Sequence, residues 1–221
     1  MLWAYALADR AASVELTGEL PGQRREAIEA VEIAEGVVLF ARELGRAPEP
    51  TLDAIREHDR VVRAIAAQTG SILPMRFGTR GERAALVRSI EARTLAVREG
   101  LAAVQGADQV TIRIAGGPPE ESVEPGGGPG TRFLLERARQ RSPRLPGWEA
   151  VAAELIALAR AERIERGDPR TERVRVYHLI AREDLDRWIE AAGRARDAAA
   201  DWSLTIGAPA PPWAFVPEEI A

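Results

Sequence analysis

The chain has no cysteine, no lysine and no asparagine, and only two histidines and two methionines in 221 residues. Without cysteine there are no disulfides and no thiolate zinc sites, and the composition suits a reducing cytoplasm. Two histidines leave little for imidazole-based metal binding. All 30 basic residues are arginine, whose planar heads favour stacked and bidentate contacts over diffuse attraction. No basic block occurs and the net charge is −4, which argues against nucleic-acid binding. Long apolar runs are also missing. The longest, near Gly36–Ala41, is far too short to cross a bilayer, so no membrane association is expected. Met1-Leu2-Trp3-Ala4-Tyr5 alternates and lacks the charged start of a signal peptide. It reads as a strand of a cytoplasmic protein.

What is present suffices for a folded chain. Apolar residues make up 46% of the sequence, enough for a real core in one large domain or two small ones. Residues 2–8 alternate as a strand, and Ile28–Ala34 and Val37–Ala41 read as a hairpin around Glu35-Gly36. Thr51 is placed to cap a helix whose Leu52, Ile55, Val62 and Ile65 share a face and which Gly70 ends. Leu86, Ile90, Val97, Leu101 and Val104 form one stripe of a helix over 82–104. Val110, Ile112 and Ile114 alternate with polar residues as a half-buried strand.

Residues 116–130 hold six glycines and four prolines and read as a linker. Helices are expected over 133–141 and 148–166, a strand over Val174–Ala181, a helix over 183–199 with Leu185, Trp188/Ile189 and Ala192 inward, and a last strand over Trp202–Ile206. The fold class is α+β. The expected division is an N-terminal ferredoxin-like sandwich (1–115) with its helices on one side of the sheet, the linker, a smaller C-terminal α+β domain (131–206) and a Pro/aromatic tail (207–221).

The stretch Ser71-Ile72-Leu73-Pro74-Met75-Arg76-Phe77-Gly78-Thr79 organises the reading. With period 2, Leu73, Met75 and Phe77 share one strand face, and Ile72, Pro74 and Arg76 the other. Pro74 gives up a ladder hydrogen bond, which places the strand at a sheet edge. Arg76 then lies beside apolar neighbours and wants a carboxylate or several carbonyls. It is either a structural ion pair or a group that helps join a domain or a partner. The tail offers a second candidate. Pro211, Pro212, Trp213 and Phe215 either pack back on the first domain or anchor another protein.

Residues that could carry chemistry stay scattered. Gly126–Thr131 precedes a helix, but a phosphate loop needs a lysine. His58 and His178 lie far apart in sequence and read as structural histidines. No Gly-x-Ser-x-Gly elbow is present. No catalytic residue, metal or cofactor is assigned, and the residues leave standing a non-enzymatic interaction protein. An enzyme or ligand-binding module on a ferredoxin-like scaffold is the alternative.

Four collinear stretches resemble one family. His58 with Val61, Val62 and Ile65, followed by Ile72–Thr79, is similar to the signature of the gas vesicle GvpL/GvpF proteins. Gly130-Thr131-Arg132-Phe133-Leu134, Val176-Tyr177-His178-Leu179-Ile180 and Leu204–Phe215 resemble later motifs of that family. The resemblance implies two α+β domains with a C-terminal tail and a place at the gas vesicle. It also implies an accessory or minor structural role, chaperone-like or nucleating, toward the small hydrophobic shell protein GvpA and other gas vesicle accessory proteins. Placed on this chain, it makes Leu73, Met75, Arg76 and Phe77 the expected partner-binding edge.

Overall fold

A computed structural model describes residues 1–9, 28–116, 148–168, 171–199 and 202–220. Most of the expected linker and the helix expected over 133–141 lie outside these residues. The described residues form a mixed α+β chain with two sheets and five α-helices. They fall into two compact units, Met1–Ala107 with Ala210–Ala221, and Asp108–Pro209.

The first unit is built on β1 (Leu2–Asp9), β2 (Glu29–Ala34) and β3 (Val37–Glu43). The turn joining β2 to β3 uses Gly36 at φ 79°, which a side chain rarely adopts. Helix α1 (Leu52–Ala66) follows, and the Thr51 hydroxyl accepts from the Ala54 N–H at 3.2 Å as expected of its cap. Then come β4 (Ile72–Pro74) and β5 (Arg80–Gly81). The sheet order is β2-β3-β1-β4, with β5 also on β1. Both short strands run antiparallel to β1, at Ala6–Ala8 and at Leu2–Trp3. They are therefore two pieces of one interrupted edge strand.

Helices α2 (Arg83–Glu91) and α3 (Thr94–Val104) replace the single helix expected over 82–104. Between them, the Arg93 side chain donates to the Ser89 carbonyl and Thr94 Oγ1 donates to the Glu91 carbonyl. Such side-chain bonds compete with helix continuation, and an apolar stripe cannot register them. Leu52 and Ile55 are 61% and 43% exposed, so the first turn of α1 does not share the buried face of His58, Val61, Val62 and Ile65.

Ile72 joins the cluster of Val61, Val62 and Ile65, whereas its neighbour Leu73 lies against Gly100 of α3. Successive strand residues point to opposite faces, so α1 covers one face of the first sheet and α3 the other. The expectation of helices on one side is corrected accordingly.

The second unit contains β6 (Ala107–Gly116), α4 (Trp148–Leu158), β7 (Ala161–Arg166), β8 (Val174–Ala181), α5 (Leu185–Ala198) and β9 (Trp202–Ile206). Its order, β7-β8-β6-β9, is that of a βαββαβ ferredoxin-like unit. The first sheet repeats that order. Val110, Ile112, Ile114, Val174, Val176 and Leu204 pack beneath Trp148, Leu155, Trp188 and Ala192, so here the helices do share one face.

Strand β7 falls where a helix was expected to continue to Arg166. The helix stops at Leu158, and Ala161–Arg166 pairs antiparallel with Val174–Leu179. Only Ile164 of this strand packs against the core, which gave it little apolar signal. Ile189, expected inward, is 48% exposed. The expected boundary at 115 also moves, because β6 pairs with β9 and so belongs to the second sheet. The tail belongs to the first unit.

Candidate functional site

The organising stretch is extended only over Ile72–Pro74. Beyond it the backbone turns. The Met75 N–H still donates to the Tyr5 carbonyl at 2.8 Å, and the Thr79 N–H and Oγ1 both donate to the Arg76 carbonyl, at 3.0 and 2.8 Å. Gly78 sits at φ 98°, where a side chain would strain the backbone. The Ala4 N–H donates to the Thr79 carbonyl at 2.9 Å and returns the chain to the edge of β1.

This turn overturns the reading of Arg76. Past the end of the strand, its side chain is exposed and forms no ion pair among the described residues. Leu73 and Met75 are 0% and 5% exposed and belong to the interior. Phe77 is half-buried. Of the four residues, only Arg76 and Phe77 offer side chains to a partner.

The turn wraps an aromatic cluster centred on His58. Trp3 Nε1 donates to His58 Nδ1 at 3.3 Å, and His58 Nε2 lies 2.8 Å from the Met75 carbonyl oxygen. An indole N–H can only donate and a carbonyl can only accept. His58 is therefore the neutral imidazole with its proton on Nε2. Burial pushes its pKa below the ordinary value, with the Met75 carbonyl and Asp59 opposing that shift. Tyr5 stacks on the ring at 5.1 Å, and Phe77 meets it edge-on at 5.7 Å. Trp3 and Phe77 are themselves edge-to-face at 5.0 Å.

Trp213 completes the cluster, 6.2 Å from the His58 ring. Pro211 and Pro212 are buried, and Phe215 is half-buried. The edge stretch and the tail, separate in the sequence, thus meet at one histidine. Trp3 and Tyr5 were not foreseen here. Their only sequence signal is an aromatic pair on one face of the first strand.

The second unit carries a parallel arrangement. Trp188 Nε1 donates to His178 Nδ1 at 3.1 Å, and the Nε2–H of His178 reaches Glu162 Oε2 at 2.9 Å. Trp148 Nε1 lies 3.5 Å from the same oxygen. These bonds hold the Glu162 carboxyl below its usual range, the His178 bond contributing most. On the far side of that sheet, Arg113, Arg175, Ser203 and Thr205 line a cleft of about 440 Å³, with Glu172 buried between the two arginines. The histidine assembly pairs its polar groups internally, whereas in the cleft Glu172 Oε2 and Arg175 Nε are buried without a hydrogen bond among the described residues. Among the described residues no three His, Cys, Asp or Glu side chains come together as a metal site.

In the first unit, the strand-edge turn and the tail folded onto it thus meet around a buried, internally hydrogen-bonded histidine. Residues 1–217 match the model of the gas vesicle synthesis protein GvpL/GvpF family. The chain belongs to that family. No curated protein sequence matches it. Two GvpF crystal structures share its fold. The protein from Anabaena sp. PCC7120 is 17% identical over 98% of this chain and 95% of that one, with a TM-score of 0.72. The protein from Microcystis aeruginosa is 14% identical over 98% of each chain, with a TM-score of 0.73. Membership in the GvpL/GvpF family gives the chain a gas vesicle role. No described helix is long and apolar enough to cross a membrane.

Proposed function

We propose that the chain is an accessory or minor structural protein of gas vesicle formation that binds the small hydrophobic shell protein GvpA. In doing so it nucleates assembly or keeps the shell protein from aggregating. The observation that carries this reading is the family match over residues 1–217, and the geometry supplies a physical route. A subunit destined to face gas presents apolar β-structure before assembly, and exposed strand edges of that kind aggregate. A partner with a strand edge of its own covers such a surface by pairing and packing. In this chain that edge is the outer side of β4 and the turn after it, with Arg76 and Phe77 accessible.

Arg76→Glu, at an exposed position, tests the site without disturbing the core, whereas a polar residue at Phe77, packed on Trp3 and His58, or a charge at Met75 would test the fold instead. Deletion of the gene in a strain that makes gas vesicles tests the function. Loss of refractile vesicles, with the protein found in floated vesicles of the parent, supports it. Normal buoyancy after deletion refutes it.

A further inference from the structure

The edge that the proposed function needs is already occupied. Trp213 lies in the His58 cluster on the α1 face of the first sheet. Farther along, Pro217 lies on the opposite face against α3: a Cβ at Gly100 would stand 2.9 Å from Pro217 Cγ and 3.0 Å from Leu73 Cδ1. Between them, the turn Trp213–Phe215 contacts β4, and Val216 is 7% exposed. The tail therefore passes from one face of the sheet to the other around the outside of β4.

What lies there shows which chemistry the surface accepts. No charged residue occurs from Ser203 to Pro217. The segment is apolar, turns once over Trp213–Phe215, and places one aromatic ring beside His58. Yet it is a poor strand partner. Pro211, Pro212 and Pro217 have no N–H to give to a ladder, and of residues 208–220 only Ala210 takes part in a β-bridge. A segment with its backbone donors intact gains hydrogen bonds that the tail cannot make, while placing an aromatic ring where Trp213 lies beside His58.

We propose that the outer side of β4, with the position beside His58 that Trp213 fills, is a docking surface for an extended apolar segment carrying an aromatic side chain, and that Pro211–Pro217 is its built-in occupant. The tail must leave before the partner docks. This inference rests on the proposed function, since the partner is taken to be the shell protein. It adds that access is controlled from within the chain.

The absence of cysteine makes a clean test available. In the full chain, Gly100→Cys with Pro217→Cys introduces the only two thiols, at positions already in contact, and oxidation ties the tail down. The probe is purified GvpA. The oxidised form is expected to bind it about tenfold more weakly than the same protein after reduction, within the usual range for coupled sites. Trp213→Ala, which loosens the tail without a cross-link, is expected to bind more tightly than the parent. Equal binding by oxidised and reduced forms, or a Trp213→Ala variant no tighter than the parent, overturns the inference and leaves the proposed function standing. A folded parent, reduced form and Trp213→Ala variant that all fail to bind GvpA overturn the proposed function and the inference together.

Discussion

Acidification should destabilise the first unit through His58. The side chain is 4% exposed. Its Nδ1 accepts from Trp3 and its Nε2–H is directed at the Met75 carbonyl, so a second proton has no place except against the indole N–H. Burial depresses the folded-state pKa. Between that value and the ordinary value near 6.5, the unfolded chain binds more protons than the folded one. Stability is therefore full above about pH 6.5 and falls as pH drops through that window. One group contributes at most about 1.4 kcal/mol per pH unit, which bounds the loss from pH 7.5 to 5.5 at about 1.4 kcal/mol.

Urea unfolding at several pH values, followed by tryptophan fluorescence, measures this directly. The control is His58→Gln, which keeps an N–H donor and cannot titrate. It should be less stable than the parent at neutral pH and should lose part of the pH dependence between 7.5 and 5.5. An unchanged pH dependence in that variant would refute the assignment of His58 as a buried neutral group.

Trp188→Phe removes the only donor to His178 Nδ1 among the described residues and should cost about 1–3 kcal/mol by leaving a buried acceptor unpaired; thermal unfolding checks it. Gly167→Ala drives a Cβ into the Glu172 side chain and to 2.8 Å from the Glu172 carbonyl oxygen. Overpacking of this kind should cost about 1–3 kcal/mol, read as a lower unfolding midpoint. Arg76→Ala, at an exposed site with no described ion pair, should leave stability within about 0.5 kcal/mol of the parent; a larger loss would restore the structural ion pair to consideration.

The sequence was legible where period and burial coincide. Strands Val174–Ala181 and Trp202–Ile206 fall on the expected residues, because their alternation matches one buried face. It was illegible where a short element takes its partner from the surface. Strand β7 packs one apolar residue, Ile164, against the core, and its charged residues read equally well as helix. Arg76 was misplaced because a period-2 reading carries no information about where a strand stops, and here backbone bonds to Arg76 and the left-handed Gly78 end it. The meeting of Phe77 and Trp213 at His58 is long-range packing. Each residue was visible as apolar and aromatic, but not their shared centre.

The central claim is that this chain covers the apolar surface of the shell protein. Diluting denatured GvpA into buffer with and without the purified chain, and following light scattering and co-elution, tests it most directly. The account predicts that near-stoichiometric chain suppresses scattering and elutes with GvpA. Unchanged scattering with a folded chain that elutes alone would contradict it.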